Sequence, residues 1–138
     1  MTSLFAIVTS IVLVLGLHLE GPLPGDLGVH AGSLSPCESS AHCARADWAV
    51  ADPEAAFATL QAVIAASPRT LIVEQRPSYL HATATSPLFG FVDDLELYAG
   101  ESSLQARSVS RLGDSDLGVN NQRLQALHQA LISPGPAG

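Results

Sequence analysis

Apolar residues run almost unbroken from Ser3 to Leu19, SLFAIVTSIVLVLGLHL, where His18 is the only ionisable side chain. The stretch EGPLPGDLGVHAGSLSP that follows carries three prolines and four glycines, a composition that punctuates rather than builds elements. Regular patterning begins near Ala46. The sequence ADWAVA predicts a short strand over Asp47–Ala51. DPEAAFATLQAVIAASP predicts a helix, with Asp52 as N-cap, Pro53 in the first turn, and Phe57, Leu60 and Ile64 on one face beside Ala56 and Val63. TLIVEQ and YLHATA predict a hairpin around Arg76-Pro77. With Gln75 opposite Ser78, Leu71, Val73, Leu80 and Ala82 fall on one side, and Ile72, Glu74, Tyr79 and His81 on the other. FVDDLELYA and SLQARSVSR predict a second hairpin. A two-residue turn at Gly100-Glu101 sets Asp94 against Arg107, Glu96 against Gln105 and Val92 against Val109. Leu117, Leu124, Leu127 and Leu131 recur at helical spacing and predict a last helix over Leu117–Ile132.

This order predicts an α+β fold: a curved antiparallel meander of four strands, five if Asp47–Ala51 joins it, with both helices packed on one face. The opposite face is then open and carries Tyr79, His81, Asp94, Glu96, Tyr98, Arg107 and Arg111. The chain divides into an amino-terminal membrane anchor or signal over 1–20, a Pro/Gly-rich linker with two cysteines over 21–45, a globular domain over 46–133 and a disordered tail over 134–138.

The apolar run is at the short limit of the ~17–25 residues that span a bilayer. No Lys or Arg precedes it, and the nearest small-x-small site ends at Ala31. It reads as an uncleaved anchor. A cleaved secretory signal and a buried helix of a soluble protein are the alternatives. Composition excludes more than it assigns. The formal net charge is −7 and all six basic residues are arginine. So few cations argue against nucleic acid and against anionic lipid headgroups.

Cys37 and Cys43 flank a short loop, CESSAHC. Outside the cytoplasm a disulfide is the natural reading. A zinc site from His30, Cys37, His42 and Cys43 matches no established spacing, and no metal or other cofactor is expected.

The segment RSVSRLGDSDLGVN, Arg107 to Asn120, supplies the candidate chemistry. Ser108 and Ser110 point towards the helices; Arg107 and Arg111 lie on the open face. A helix start at Asp114–Asp116 offers free N–H groups, and Arg111 and Arg123 converging there make an anion or carboxylate site. The competing reading is a polar clasp. In it Arg107 pairs with Asp94, Arg111 with Asp116 or Glu96, and Asn120 with loop backbone. The ligand candidates are therefore Arg107, Ser108, Ser110, Arg111, Asp116, Asn120 and Arg123. No catalytic set emerges. Asp93 and Asp94 point to opposite faces, an apposed arginine keeps Asp94 ionised, and Ser108 and Ser110 lack a base.

Two segments, YLHATATSPLFGFVDDLELY and ARSVSRLGDSDLGVNNQRLQAL, resemble the domain-of-unknown-function family 1499. Its F-x-D-D-x-E strand is met by Phe91, Asp93, Asp94 and Glu96. Its R-S-x-S-R-x-G-x-S-D-x-G-x-N run is met by Arg107, Ser108, Ser110, Arg111, Gly113, Ser115, Asp116, Gly118 and Asn120. LGVHAGSLSPCESSAHC resembles the family's cysteine-pair lead-in, although Glu38, Ala41 and His42 stand where Pro, Pro and Asn are usual. Asn121 replaces a common basic residue. The resemblance covers roughly Leu27 to Leu131. It implies bacterial or plastid proteins, often with a membrane-targeted amino end, and no known reaction.

The expectation is therefore a membrane-anchored binding module facing the periplasm, or the thylakoid lumen in a photosynthetic cell, or secreted if a signal is cleaved. Its open sheet face takes a small polar ligand or a partner protein, and not nucleic acid. A hydrolase- or transferase-like enzyme at the Arg111–Asn120 corner and an assembly factor for a membrane complex are the alternatives. A deep pocket lined by Arg111, Asp116 and Asn120 favours the enzyme; a shallow surface with satisfied ion pairs favours binding.

Overall fold

Asp52 starts the first helix as its chemistry requires: its carboxylate accepts the Ala55 N–H at 3.0 Å, and Pro53 follows where no N–H is needed. The computed structural model describes residues 20–133. The expected anchor up to Leu19 and the tail over 134–138 lie outside them. Helix α1 spans Pro53–Ala65 and α2 spans Val119–Ile132. Five strands, β3 (Cys43–Ala49), β4 (Thr70–Arg76), β5 (Tyr79–Thr85), β6 (Val92–Ala99) and β7 (Ser103–Ser110), form one antiparallel sheet. Its order is β3-β7-β6-β5-β4, so the four-strand meander stands and the fifth strand joins beside β7.

Both helices cover one face. Phe57, Leu60, Ile64, Leu124 and Leu127 meet Leu80, Ala82, Leu95, Leu97, Leu104 and Ala106 in a single apolar core, closed at one side by Trp48. Leu117, expected on the α2 face, lies ahead of the helix and is 89% exposed.

Both hairpins turn at a different register from the one expected, and only the first keeps a two-residue turn. In the first, Arg76 faces Tyr79 across Pro77-Ser78, and an extra residue, Val73, breaks the ladder between Ile72 and Glu74. This bulge swaps the expected faces: Ile72 packs against the core, while Leu71 and Val73 are exposed. In the second, Ala99 faces Leu104, so four residues rather than two make the connection. The register moves by two positions. Because strand side chains alternate with period two, every residue keeps its face but changes its partner. Glu96 now opposes Arg107, and Asp94 opposes Val109.

The largest departure concerns the face expected to be open. Residues 20–36, expected as a tether, lie across it as a strap. The strap contains a small hairpin of β1 (Val29–His30) and β2 (Ser33–Leu34), turned at Ala31 and Gly32 with φ of 52° and 78°. Two positive φ values are what a tight hairpin turn of this hand needs. Leu34 is buried against the sheet. Asp94 and Glu96 are wholly buried beneath this cover, and Tyr79, His81 and Arg107 nearly so. Burial without partners would be costly; the strap supplies them to Glu96 and Arg107 through the Gly28 N–H and Asp26, and Asp94 is met by His81 and Arg111.

Candidate functional site

Alternation along β6 and β7 sorts the charged residues into two clusters, one on each face. Towards the strap, β5, β6 and β7 present a buried ionic row. Arg111 grips Asp94 with two bonds, Nε to Oδ2 at 2.8 Å and Nη2 to Oδ1 at 3.0 Å. His81 Nε2 lies 2.7 Å from the same Oδ1. Burial pushes the Asp94 carboxyl up, but the hydrogen bonds from His81 and Arg111 outweigh it and hold the group below the ordinary range. Since Asp94 is then ionised, the facing His81 nitrogen is the donor. The same bond to Asp94 raises the Arg111 guanidinium above its usual value.

Glu96 forms the second half of the row. It accepts from the Tyr79 hydroxyl at 2.7 Å and from the Gly28 backbone N–H of the strap at 2.6 Å. Arg107 Nη1 approaches it at 3.4 Å, and Arg107 Nη2 donates to Asp26 of the strap at 2.7 Å. Burial, then the bond to Glu96, raises the Tyr79 phenol well above its ordinary value, so it stays protonated. Further along, Gln105 Oε1 accepts from the Leu34 N–H at 2.8 Å and from Arg45 Nη2 at 2.7 Å. The row is a clasp, as one sequence reading had it, but its pairs are different. Arg107 does not meet Asp94, and Arg111 meets neither Asp116 nor Glu96. The two-position shift of the second hairpin is the cause.

Towards the helices, Asn120 is the centre. Its Oδ1 accepts from Ser108 Oγ at 2.6 Å and Arg123 Nη1 at 2.9 Å. Its Nδ2 donates to Asp116 Oδ2 at 2.7 Å, Ser110 Oγ at 2.8 Å and the His42 carbonyl at 3.2 Å. Arg123 also pairs with Asp93 at 3.0 Å. Asp116 accepts the Gly118 N–H at 2.7 Å. Burial pushes the Asp116 carboxyl up, but the hydrogen bond from the Asn120 side chain, with backbone N–H groups, holds it below the ordinary range. The N-cap position of α2 is an αL glycine, Gly118, with no side chain to cap it; the carboxylate of Asp116, two residues earlier, does so instead, accepting the Asn120 N–H at 3.3 Å.

The ligand candidates therefore do not converge. Arg107 and Arg111 belong to the strap side; Ser108, Ser110, Asp116, Asn120 and Arg123 belong to the helix side. Cys37 and Cys43 are joined by a disulfide, which leaves no thiolate for zinc. Their loop braces the corner: the Ala41 carbonyl accepts from Asp116 N and the His42 carbonyl from Ser110 N. Sequence reasoning missed Asp26, Gly28, Arg45 and Gln105. Nothing in a Pro/Gly-rich stretch marks Asp26 or Gly28 as partners for residues 81 and 68 positions away.

Two clefts flank the arginines. One of about 490 Å³ lies between the strap and β7, lined among others by Asp26, Glu38, His42, Arg107 and Arg111. Another of about 560 Å³ reaches Arg111 from the side of Glu20, Arg69 and Thr70. Arg107 Nε and His42 Nδ1 are buried with no partner among the described residues. Asp116 and Asn120 line neither cleft. No group of metal-ligating side chains occurs among the described residues, nor any helix long and apolar enough to cross a membrane.

No curated protein and no solved structure matches the chain. The family model described as a protein of unknown function, DUF1499, matches residues 33–131, from the β2 hairpin strand through α2, and with that span the chain belongs to the DUF1499 family.

Proposed function

We propose that the chain is a membrane-anchored binding module of a compartment outside the cytoplasm, and that its ligand site is the cleft between the strap and β7. The observation that carries this reading is the cleft's mixed lining. Arg107 and Arg111 line it with N–H donors beyond those already used, and so do two carboxylates, Glu38 and the Asp26 already paired with Arg107. An arginine fork favours a carboxylate, and carboxylates favour an ammonium or hydroxyl donor. The ligand class is a small zwitterion or polar molecule carrying both groups. The anchor rests on the apolar run from Ser3 to Leu19, and the compartment on the disulfide.

This reading is preferred over an enzyme at the Arg111–Asn120 corner because Arg111 and Asn120 sit on opposite faces of the sheet, and Asn120 is fully buried with every polar atom engaged. The test is calorimetric titration of the detergent-solubilised full chain with an amino acid, a dicarboxylate and a diamine. The amino acid is expected to bind, and Glu38→Gln to weaken it by about tenfold, ~1.4 kcal/mol. The proposal fails if none of the three binds at millimolar concentration, or if binding ignores both Glu38→Gln and Arg111→Gln.

A further inference from the structure

Antiparallel topology gathers the β5–β6 loop, the β7–α2 loop and the start of the strap at one end of the sheet. That end is apolar. Leu88 is 80% exposed, Phe89 61% and Leu117 89%, with Phe91, Leu112 and Val119 also exposed beside them. Phe89 and Phe91 pack together, their ring centroids 5.8 Å apart. Phe91, Leu112, Leu117 and Val119 share a small cavity of about 230 Å³. A contiguous apolar surface of this kind marks a contact site rather than ordinary scatter. The opposite end, at Glu101 and Ser102, is polar and exposed.

The apolar run from Ser3 to Leu19 joins the described chain at this same end. Gly21 lies against Leu112, close enough that an added Cβ would meet Leu112 Cγ at 2.6 Å, and Glu20 lines a cleft with Arg111. From there the strap runs inward to Arg107 and Gln105. No tether of any length separates the apolar run from the apolar end.

We infer that this end of the domain rests in the surface of a bilayer, with Leu88, Phe89, Leu112 and Leu117 entering the headgroup boundary beside the anchor. The inference rests on the anchor reading of residues 3–19 and adds to it an orientation: the sheet stands end-on, its β6–β7 turn pointing away from the lipid. The lipid is neutral or zwitterionic. Asp114 and Asp116 flank the apolar tips, and the chain has no lysine, so an anionic surface would repel this end. The anchor and the loops act as two signals, the second fixing what the first merely tethers.

The test uses the full chain, native disulfide intact, with Phe89→Cys, Leu117→Cys or Glu101→Cys carrying an environment-sensitive fluorophore. Each is reconstituted into phosphatidylcholine vesicles, with flotation as the control for anchoring. At positions 89 and 117 the emission should shift to the blue and be quenched several-fold by lipids brominated near the headgroup, while position 101 stays water-like. Failure to float overturns the anchor reading and the inference with it. A protein that floats but is water-like at 89 and 117 overturns the inference alone. Blue-shifted probes that brominated lipid does not quench assign the patch to a protein contact and also overturn it. A requirement for anionic lipid overturns the choice of a neutral surface.

Discussion

Replacing Arg111 by alanine removes two donors from Asp94 and leaves a wholly buried carboxylate with His81 as its one remaining side-chain donor among the described residues. Breaking a buried ion pair from one side costs about 3–5 kcal/mol. His81 still serves Asp94, so the lower end, about 3 kcal/mol, is expected. That is a large part of the ~5–15 kcal/mol that holds a domain folded. The identity of the partner is then decided by a double-mutant cycle. Arg111→Ala with Asp94→Asn should show a coupling near ~3 kcal/mol, the upper end of the range for contacting residues. Arg107→Ala with Asp94→Asn should couple by less than about 1 kcal/mol, because the Arg107 guanidinium bonds Glu96 and Asp26 and makes no bond to Asp94. Trp48 is the single tryptophan, nearly buried and stacked on His128 at 5.1 Å, so its fluorescence in urea titrations reports global unfolding. A larger coupling for Arg107 with Asp94 than for Arg111 with Asp94 would refute the register, since a two-residue turn at Gly100-Glu101 produces that result.

Tyr79 has a raised phenol pKa, so its contribution to stability is complete below the ordinary tyrosine value of ~10 and is lost as pH rises above it. Tyr79→Phe should cost about 1 kcal/mol at neutral pH and remove part of the alkaline fall in urea midpoint. Asp94 has the opposite sign: its lowered carboxyl contributes fully above ~3.9, and the contribution is lost as pH falls below that value. Asp94→Asn should therefore flatten the acid limb of the same profile. Asn120→Ala strands buried partners and should cost about 3 kcal/mol. The isosteric Asn120→Asp should cost at least as much, because it turns a carboxylate towards Asp116; an Asp variant as stable as the parent in urea refutes the assigned amide orientation. Reducing the Cys37–Cys43 disulfide should lower stability by about 2 kcal/mol from the short loop alone. Hydrogen exchange should speed at the Ser110 and Asp116 amides, whose acceptors lie in that loop.

The fold was legible wherever one physical signal had one structural meaning. Asp52-Pro53 and the Phe57, Leu60, Ile64 spacing specify a helix and its buried face. Alternation assigned the β6 and β7 side chains correctly. Turn length was not legible in Gly100-Glu101-Ser102-Ser103, because those residues suit a two-residue and a four-residue connection equally. The error was harmless for the fold: a shift of two keeps Leu95 and Leu104 under the helices. It was decisive for the site, since the same shift gives Asp94 to Arg111 and Arg107 to Glu96. The bulge at Val73 has no counterpart in the sequence at all, and there the face assignment of Leu71 and Ile72 reversed. The strap failed for another reason. Pro and Gly content measures the absence of regular elements, not the absence of packing, and the residues that dock it are few, chief among them Leu34, Ser33, Asp26 and the Gly28 N–H.

The charged residues of β6 and β7 do more to select this fold than to strengthen it. Well-packed apolar side chains in place of buried ion pairs are often as stable or more so, so energy alone does not explain Asp93, Asp94, Glu96, Arg107 and Arg111. Their spacing does. Neighbouring positions alternate between faces, so Asp93 and Ser108 fasten α2 through Arg123 and Asn120, while on the other face Glu96 and Arg107 fasten the strap through Gly28 and Asp26, with the Asp94–Arg111 pair beside them. A slip of one residue in either strand would carry two carboxylates or two guanidiniums into the apolar core beneath the helices, where no partners wait. A slip of two would keep the faces but exchange the partners, setting Asp94 against Arg107 and leaving Glu96 opposite Gln105. The apolar residues of these strands punish only the first error; only the ionic row senses the second, through which cation each carboxylate meets. The same pair of strands thus locks a helix on one face and the strap on the other. The cleft beside Arg107 and Arg111 is held open between elements whose register the arginines themselves have set.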